Sequence, residues 1–87
     1  MSTLLTVILE AAADMAMFAK MGAAFATSII VLGAAMGIGK IGVSALESIA
    51  RQPEAANDIR GSMIVVAALI EGASFFAIVV CLLVLFV

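Results

Sequence analysis

One acidic residue, Glu71, lies in an apolar run that extends from residue 61 to residue 87 and contains no other charge. At ~1.5 Å per residue, a helix that begins at Gly61 brings Glu71 about 15 Å into a hydrocarbon core about 30 Å thick. A charge at that depth costs at least ~2.5–3.5 kcal/mol, so we expect the carboxyl group to be largely protonated there. Such a group can carry a proton reversibly, although a buried acid can also simply hydrogen-bond two helices together.

The expected neighbours of Glu71 form a small site that is poor in polar atoms. The residues one helical turn away on the same face are Ala67, Ala68, Ser74 and Phe75. Only Ser74 among them offers a side-chain oxygen, whereas a bare sodium ion needs several oxygen ligands, which backbone carbonyls would have to complete. A proton needs only the carboxyl group and at most one partner. The sequence therefore favours protons, and it predicts neither a metal site nor a cofactor.

The composition indicates an integral membrane protein. Of the 87 residues, 67% are apolar and 11% are charged, and the mean hydropathy is +1.39. Too few polar residues remain to cover a water-facing surface. Residues 21–39 carry no charge and residues 61–87 carry only Glu71, so each run is long enough to cross a bilayer as a helix. The formal charge of −2 offers no basic surface for nucleic acid, and the lone Cys81 is interpreted as a small hydrophobic residue.

The charged segment between the two runs contains the only proline of the chain, Pro53. Proline is favoured at the start of a helix and biases the residue before it away from helical geometry, so the first helix should end near Arg51 and the second should begin near Pro53. The predicted fold is all-α, a two-helix transmembrane hairpin. Its parts are an extension (1–19), a first transmembrane helix (20–50), a polar loop (51–54) and a second transmembrane helix (55–87). Folding about the loop places Ala34 opposite Glu71, where a small side chain leaves room for a proton to arrive and leave.

Basic residues near the spans indicate how the hairpin is oriented. Lys40, Arg51 and Arg60 lie on the loop side, against Lys20 alone on the other side. Because basic residues concentrate on the cytoplasmic side of membranes, the loop is predicted to be cytoplasmic and both termini to lie outside.

The first 19 residues show a weaker pattern. Their apolar residues recur at alternating steps of four and three: Leu4, Ile8, Ala11, Met15 and Phe18. With Thr6, Glu10 and Asp14 on another face, this spacing is typical of an amphipathic helix. The segment is either a helix at the outer membrane interface or a leader without its own task. A secretory signal is not predicted, because no basic residue precedes the apolar stretch and Glu10 and Asp14 interrupt it.

The first membrane run is dense in small residues, which form two stripes at helical spacing. One stripe contains Ala23, Ala26, Gly33 and Gly37, and the other contains Ala24, Ser28, Ala35, Gly39 and Gly42. Small residues let helix backbones approach closely in lipid, where packing drives association. Contact within the hairpin could use one stripe. Two stripes favour identical copies on both sides, and hence a closed homo-oligomeric ring.

Taken together, these features resemble the c-subunit, the proteolipid ring subunit, of the bacterial-type rotary ATP synthases. The resemblance rests on the small-residue first helix, the loop Ala50-Arg51-Gln52-Pro53-Glu54-Ala55 and the single acid of the second helix. It covers about residues 20–87 and leaves 1–19 unexplained. Gly33, Ala35, Gly37 and Gly39 resemble the alternating glycine stripe of that family, with one glycine replaced by alanine.

The resemblance implies a ring of identical hairpins in the bacterial inner membrane, with the small-residue helices inside and membrane lipids around it. Glu71 would bind the proton, and Arg51, Gln52 and Pro53 would contact the central-stalk subunits gamma and epsilon. The a-subunit of the stator would supply an essential arginine, and the chain itself would be a non-catalytic, proton-translocating subunit. Sodium-binding members carry Gln in the first helix and Ser or Thr after the acid, at the positions of Ile38 and Gly72 here.

Two other classes of membrane protein share single features with this sequence. Small proton-coupled drug antiporters use a membrane Glu, but they need aromatic residues to hold a cationic substrate, and this chain has neither Trp nor Tyr. A pore-forming peptide would explain the two spans, but it would explain neither the depth of Glu71 nor the composition of the loop.

Overall fold

The first helix, α1, is a single continuous helix, Ser2–Arg51, in a computed structural model that describes residues 2–87. At ~1.5 Å per residue its 50 residues span about 75 Å, which accounts for the longest dimension of the molecule, 77 Å. The helix contains no proline, and its glycines keep ordinary helical backbone angles. No break occurs near residue 20, so the extension and the first span share one helix axis.

A tight turn at Gln52 and Pro53 ends α1. Gln52 leaves the helical region with φ −133° and ψ 71°, as expected for a residue that precedes proline. Its backbone N–H still donates to the carbonyl of Ser48 at 2.8 Å, and that bond closes the last turn of α1. A short 3₁₀ helix, Pro53–Ala55, then redirects the chain, with the Ala55 N–H donating to the Gln52 carbonyl at 2.9 Å.

The second helix, α2, covers Ala56–Val84 and runs back along α1. The two helices are antiparallel, because residues with lower numbers on α1 lie beside residues with higher numbers on α2. Three clefts between the helices show this: Lys40 lies beside Asp58, Ala34 beside Glu71, and Ala23 beside Cys81. The described residues contain no strand, so the prediction of an all-α, two-helix hairpin is confirmed.

Small side chains are the most shielded part of the contact between the helices. Ala23 and Ala45 are the most shielded residues of α1, each 8% exposed. At Gly37, an added Cβ would lie 3.5 Å from Cδ1 of Ile70, which is ordinary van der Waals contact. The helices therefore approach closely, but they bury very little of each other.

Most of the large apolar side chains remain exposed on the isolated hairpin. Both helical segments, Ser2–Arg51 and Pro53–Val84, are long and apolar enough to cross a membrane. In a bilayer, helices satisfy their own backbone hydrogen bonds while their apolar side chains contact lipid or other helices. The exposed apolar surface thus fits a membrane environment with further protein partners.

Replacing Ala45 by Phe tests how closely the two helices pack. Because Ala45 is nearly enclosed, the larger ring should force the helices apart and lower the free energy of unfolding by ~1–3 kcal/mol. An SDS titration in mixed detergent, followed by far-ultraviolet circular dichroism, measures the change. The matched control is Leu46→Phe, at a side chain that is 65% exposed. Equal destabilisation by the two substitutions would contradict this packing.

Candidate functional site

Glu71 lies near the middle of α2, between its start at Ala56 and its end at Val84. At ~1.5 Å per residue the 29 residues of α2 span about 43 Å, close to the ~40–45 Å of a bilayer with its headgroups. The carboxyl group is therefore about 20 Å from either end of the helix. When α2 crosses the membrane, Glu71 lies at the midplane.

A cleft of about 250 Å³ lies beside Glu71, at the contact between the helices. Its walls are Val31, Ala34, Ala35, Glu71, Ser74, Phe75 and Ile78. Glu71 and Ser74 supply the only polar side-chain atoms of this wall, and α1 contributes two alanines. The cleft thus holds one ionisable group among apolar and small neighbours.

The carboxyl group of Glu71 makes no hydrogen bond or ion pair within the described residues. The side-chain hydrogen bonds there are made by Thr6, Thr27, Ser28 and Arg60. Glu71 is exposed on the surface of the isolated hairpin. In hydrocarbon, an unpaired carboxylate is strongly disfavoured relative to the neutral acid. The site can therefore keep a proton in lipid and release it only where water or a cation reaches the carboxyl group.

The structure brings together some of the residues expected around Glu71. Ala34, Ser74 and Phe75 line the cleft with it. Ala67 and Ala68 lie one turn nearer the loop and do not line the cleft; Ala67 is half-buried and Ala68 is exposed.

Two wall residues, Val31 and Ile78, are absent from the sequence-based site. Val31 lies three positions before Ala34 on α1, and Ile78 lies seven positions after Glu71 on α2. Both spacings keep a residue on one helix face, and both residues lie on the side of Glu71 away from the loop, so following the antiparallel register one turn along α1 and two turns along α2 would have found them.

Some small residues of α1 contact α2, and others lie on the exposed surface of the hairpin. Gly37 faces α2, whereas a Cβ added at Gly33, Gly39 or Gly42 would meet nothing within 4 Å. At ~100° per residue, Gly33 and Ala35 lie about 200° apart around the helix. They mark two opposite sides of α1, which we term the Gly33 flank and the Ala35 flank. Gly33 and Ala35 are exposed in the hairpin, so each flank is accessible to another helix.

The loop residues Arg51, Gln52 and Pro53 are exposed at the end of the hairpin, about 30 Å along α2 from Glu71 at ~1.5 Å per residue. The described residues contain no group of three or more His, Cys, Asp or Glu side chains that could hold a metal ion.

Comparison with known proteins identifies the family. The family model that describes the C-subunit of ATP synthase matches residues 21–84. The chain is 60% identical over 83 residues to the ATP synthase c-subunit of Phocaeicola vulgatus, covering 95% of this chain and 98% of that protein. It is 58% identical over 83 residues to the ATP synthase c-subunit of Bacteroides thetaiotaomicron, which again covers 95% of this chain and 98% of that protein. It is 46% identical over 66 residues to an ATP synthase c-subunit, numbered 2, of Cereibacter sphaeroides, covering 76% and 80% of the two chains. No solved structure matches.

These matches confirm the resemblance found in the sequence and argue against the antiporter and pore-forming alternatives. Glu71, the loop and both flanks of α1 all lie inside the family match, whereas residues 1–20 precede it. The chain belongs to the c-subunit family of ATP synthases, and as a member it is a proton-translocating, non-catalytic subunit of the membrane rotor ring.

Proposed function

We propose that Glu71 is the group whose protonation and deprotonation couple proton flow across the membrane to rotation of the ring. The position of Glu71 carries this proposal, because it is the only charged residue of the membrane part of α2 and lies at mid-helix. No partner neutralises it within the described residues. An acid in that position can face lipid only when it is protonated.

The mechanism follows from the free-energy cost of the ionised Glu71 carboxyl group in lipid. Glu71 is protonated while it faces lipid and releases its proton in a polar half-channel of the stator a-subunit. There its carboxylate is held briefly near the stator's arginine, and it then takes up a proton from the opposite side of the membrane. Neutralisation permits rotation into lipid and ionisation forbids it. Each charge crossing the membrane gains ~2.3 kcal/mol per 100 mV, so several protons per turn supply the work of ATP synthesis.

Protons, not sodium ions, fit the cleft. Apart from the carboxyl group, Ser74 supplies the only side-chain oxygen among the wall residues, whereas sodium needs several. The positions at which sodium-binding members of the family carry polar ligands hold Ile38 and Gly72 here. A proton needs no coordination shell, so the apolar walls are compatible with it.

The ring would place α1 inside and α2 outside. The Gly33 flank of one α1 packs against the Ala35 flank of the next, because small residues allow the close approach that a narrow inner circle of helices requires. The α2 helices then lie at larger radius, where Glu71 meets lipid and the stator.

The loop is the part of the hairpin that meets the catalytic side of the complex. Arg51, Gln52 and Pro53 are exposed at its tip and would contact the central-stalk subunits gamma and epsilon. The excess of basic residues near the loop supports its cytoplasmic location in the bacterial inner membrane, with both termini outside.

Replacing Glu71 by Gln tests the proposed role directly. The amide is close in size to the acid but cannot be ionised, so the ring should assemble while ATP-driven proton pumping falls to background. Quenching of a pH-sensitive dye in inverted membrane vesicles measures pumping, and the mass of the detergent-extracted ring measures assembly. The control Glu71→Asp keeps an ionisable group and should retain part of the activity. Sustained pumping by the Gln variant would refute the proposal.

Replacing Gly39 by Leu tests the packing of α1 between copies. Nothing lies within 4 Å of an added Cβ at Gly39, so the hairpin itself should tolerate the change while the ring is lost. Native gels of detergent-extracted membranes should then show monomers or small oligomers in place of rings. The matched control is Gly61→Leu, a glycine of α2 that is equally open within the hairpin. The packing model fails if both variants form rings equally well.

Replacing Ala34 by Leu tests whether the cleft gives protons access to Glu71. The larger side chain should fill the space beside the carboxyl group and slow its modification by a carbodiimide several-fold, with a parallel loss of pumping. Leu32→Phe adds bulk to the same helix at an exposed residue outside the cleft, and it should leave the labelling rate unchanged. Unchanged labelling of the Ala34→Leu variant would show that the cleft is not the route.

A further inference from the structure

The N-terminal segment of α1, residues 2–17, extends beyond the hairpin. The last residues of α2 and those that follow it lie beside Ala16, Ala19 and Lys20, where they line a common cleft. From Ala16 back to Ser2, α1 continues for about 21 Å at ~1.5 Å per residue with no helix of the described chain beside it. The segment is therefore the one part of α1 that has no partner in the hairpin as described.

This segment also lies outside the membrane when α1 stands upright in it. Ala34 lies beside Glu71, at the midplane, so Met15 is about 28 Å and Leu4 about 45 Å from that plane. Half of a bilayer with its headgroups measures only about 20–22 Å. Met15 is nevertheless 73% exposed and Leu4 61% exposed, and Ile8 is similarly uncovered. Leu5 and Leu9 are exposed as well, but they lie within about 20° of Ala16, on the side of α2. Exposed apolar surface of this kind marks a site of contact with a protein or a membrane, and at this distance from the midplane the contact falls to a protein.

The position of the segment on α1 identifies that partner as the same segment of the neighbouring copies. Because α1 is unbroken and nearly as long as an ideal helix of its residue count, its flanks continue from the membrane span into the segment. Met15 lies about five turns before Gly33 and therefore on the Gly33 flank, with Leu4 and Ile8 about 20° to either side. Met17 lies about five turns before Ala35 and therefore on the Ala35 flank, with Thr6 and Glu10 about 20° to either side and Ala13 about 40° away.

Of the two acidic residues of the segment, Asp14 lies away from both flanks and Glu10 lies beside the Ala35 flank. Asp14 lies about 160° and Glu10 about 120° around the helix from Ala16, which borders α2. Asp14 therefore points to the side turned away from α2, which faces the central opening when α1 forms the inner ring, and its carboxylate stays hydrated there. Glu10 lies about 20° from the Ala35 flank on the side of that opening, so its carboxylate borders the contact between copies and reaches water from the opening.

The comparisons distinguish the segment from the rest of the chain. The family model begins only at residue 21. The match to the Phocaeicola vulgatus protein leaves only four residues of this chain uncovered and so includes at least residues 5–19. The segment is thus an addition to the family's hairpin that this relative shares.

We propose that the N-terminal segments of neighbouring copies pack side by side into a collar of helices that continues the inner ring beyond the membrane, on the side opposite the loop. Leu4, Ile8 and Met15 of one copy lie against Thr6, Ala13 and Met17 of the next. The proposal rests on the ring arrangement described above. The collar covers the Gly33 and Ala35 flanks of the segment and adds a second zone of contact between copies outside the lipid.

Paired cysteines in the full chain test the collar. In a Cys81→Ala background, the variant Thr6→Cys with Ile8→Cys carries one thiol on each flank, about 3 Å apart along the axis. Oxidation or a short bifunctional thiol reagent applied to native membranes should link successive copies into a ladder that reaches the full ring. The matched control, Leu4→Cys with Ile8→Cys, carries both thiols on the Gly33 flank and should give no ladder.

Three further measurements decide the outcome. The intact mass of the purified chain should include residues 2–17, and deletion of these residues should lower the temperature at which the ring dissociates in SDS while proton pumping continues. A ring that pumps protons but gives no ladder, or a purified chain that lacks the segment, would overturn the collar alone. The absence of any ring from native membranes would overturn both the collar and the proposed function.

Discussion

The free energy of an ionised carboxyl group in hydrocarbon governs how this hairpin can work. Glu71 has no partner among the described residues of its own chain, so its charge state is decided by whatever surrounds the hairpin: lipid, water or a cation from another subunit. A salt bridge within the hairpin would have made the charge permanent and removed that dependence. The apolar cleft around Glu71 therefore contributes to function because it provides no charged partner for the carboxylate.

The same shortage of internal contacts makes the chain incomplete by itself. Only Ala23 and Ala45 are buried among the described residues, and the glycines at Gly33 and Gly39 have open space around them. In water this would be an unstable molecule; in lipid, small residues on two flanks allow identical helices to approach on both sides. In the proposed function, ring formation and proton carriage are thus linked, because the ring would present each Glu71 in turn to the same stationary site.

Much of this arrangement could be predicted from single residues. The run of apolar residues around Glu71 indicates both the span and the depth of the acid, and Pro53 predicts the turn, which the structure places at Gln52 and Pro53. The amphipathic spacing of residues 1–19, in contrast, is equally compatible with a separate helix on the membrane surface. Helical periodicity describes the faces of a segment, but it does not say whether the helix continues into the next one, and here it does.

The sequence by itself determined the two spans, the position of the turn and the depth of Glu71, since these depend on hydrophobicity and backbone propensity along the chain. The position of the turn also paired Ala34 with Glu71, but only the tertiary structure decided which other residues meet across the hairpin. It brought Val31 and Ile78 to the cleft, left Ala67 and Ala68 outside it, and turned Gly37 toward Ile70 while leaving Gly33 free. The reason is that the rotation of each helix about its own axis is set by side-chain packing between the two helices, which no pattern along one helix contains.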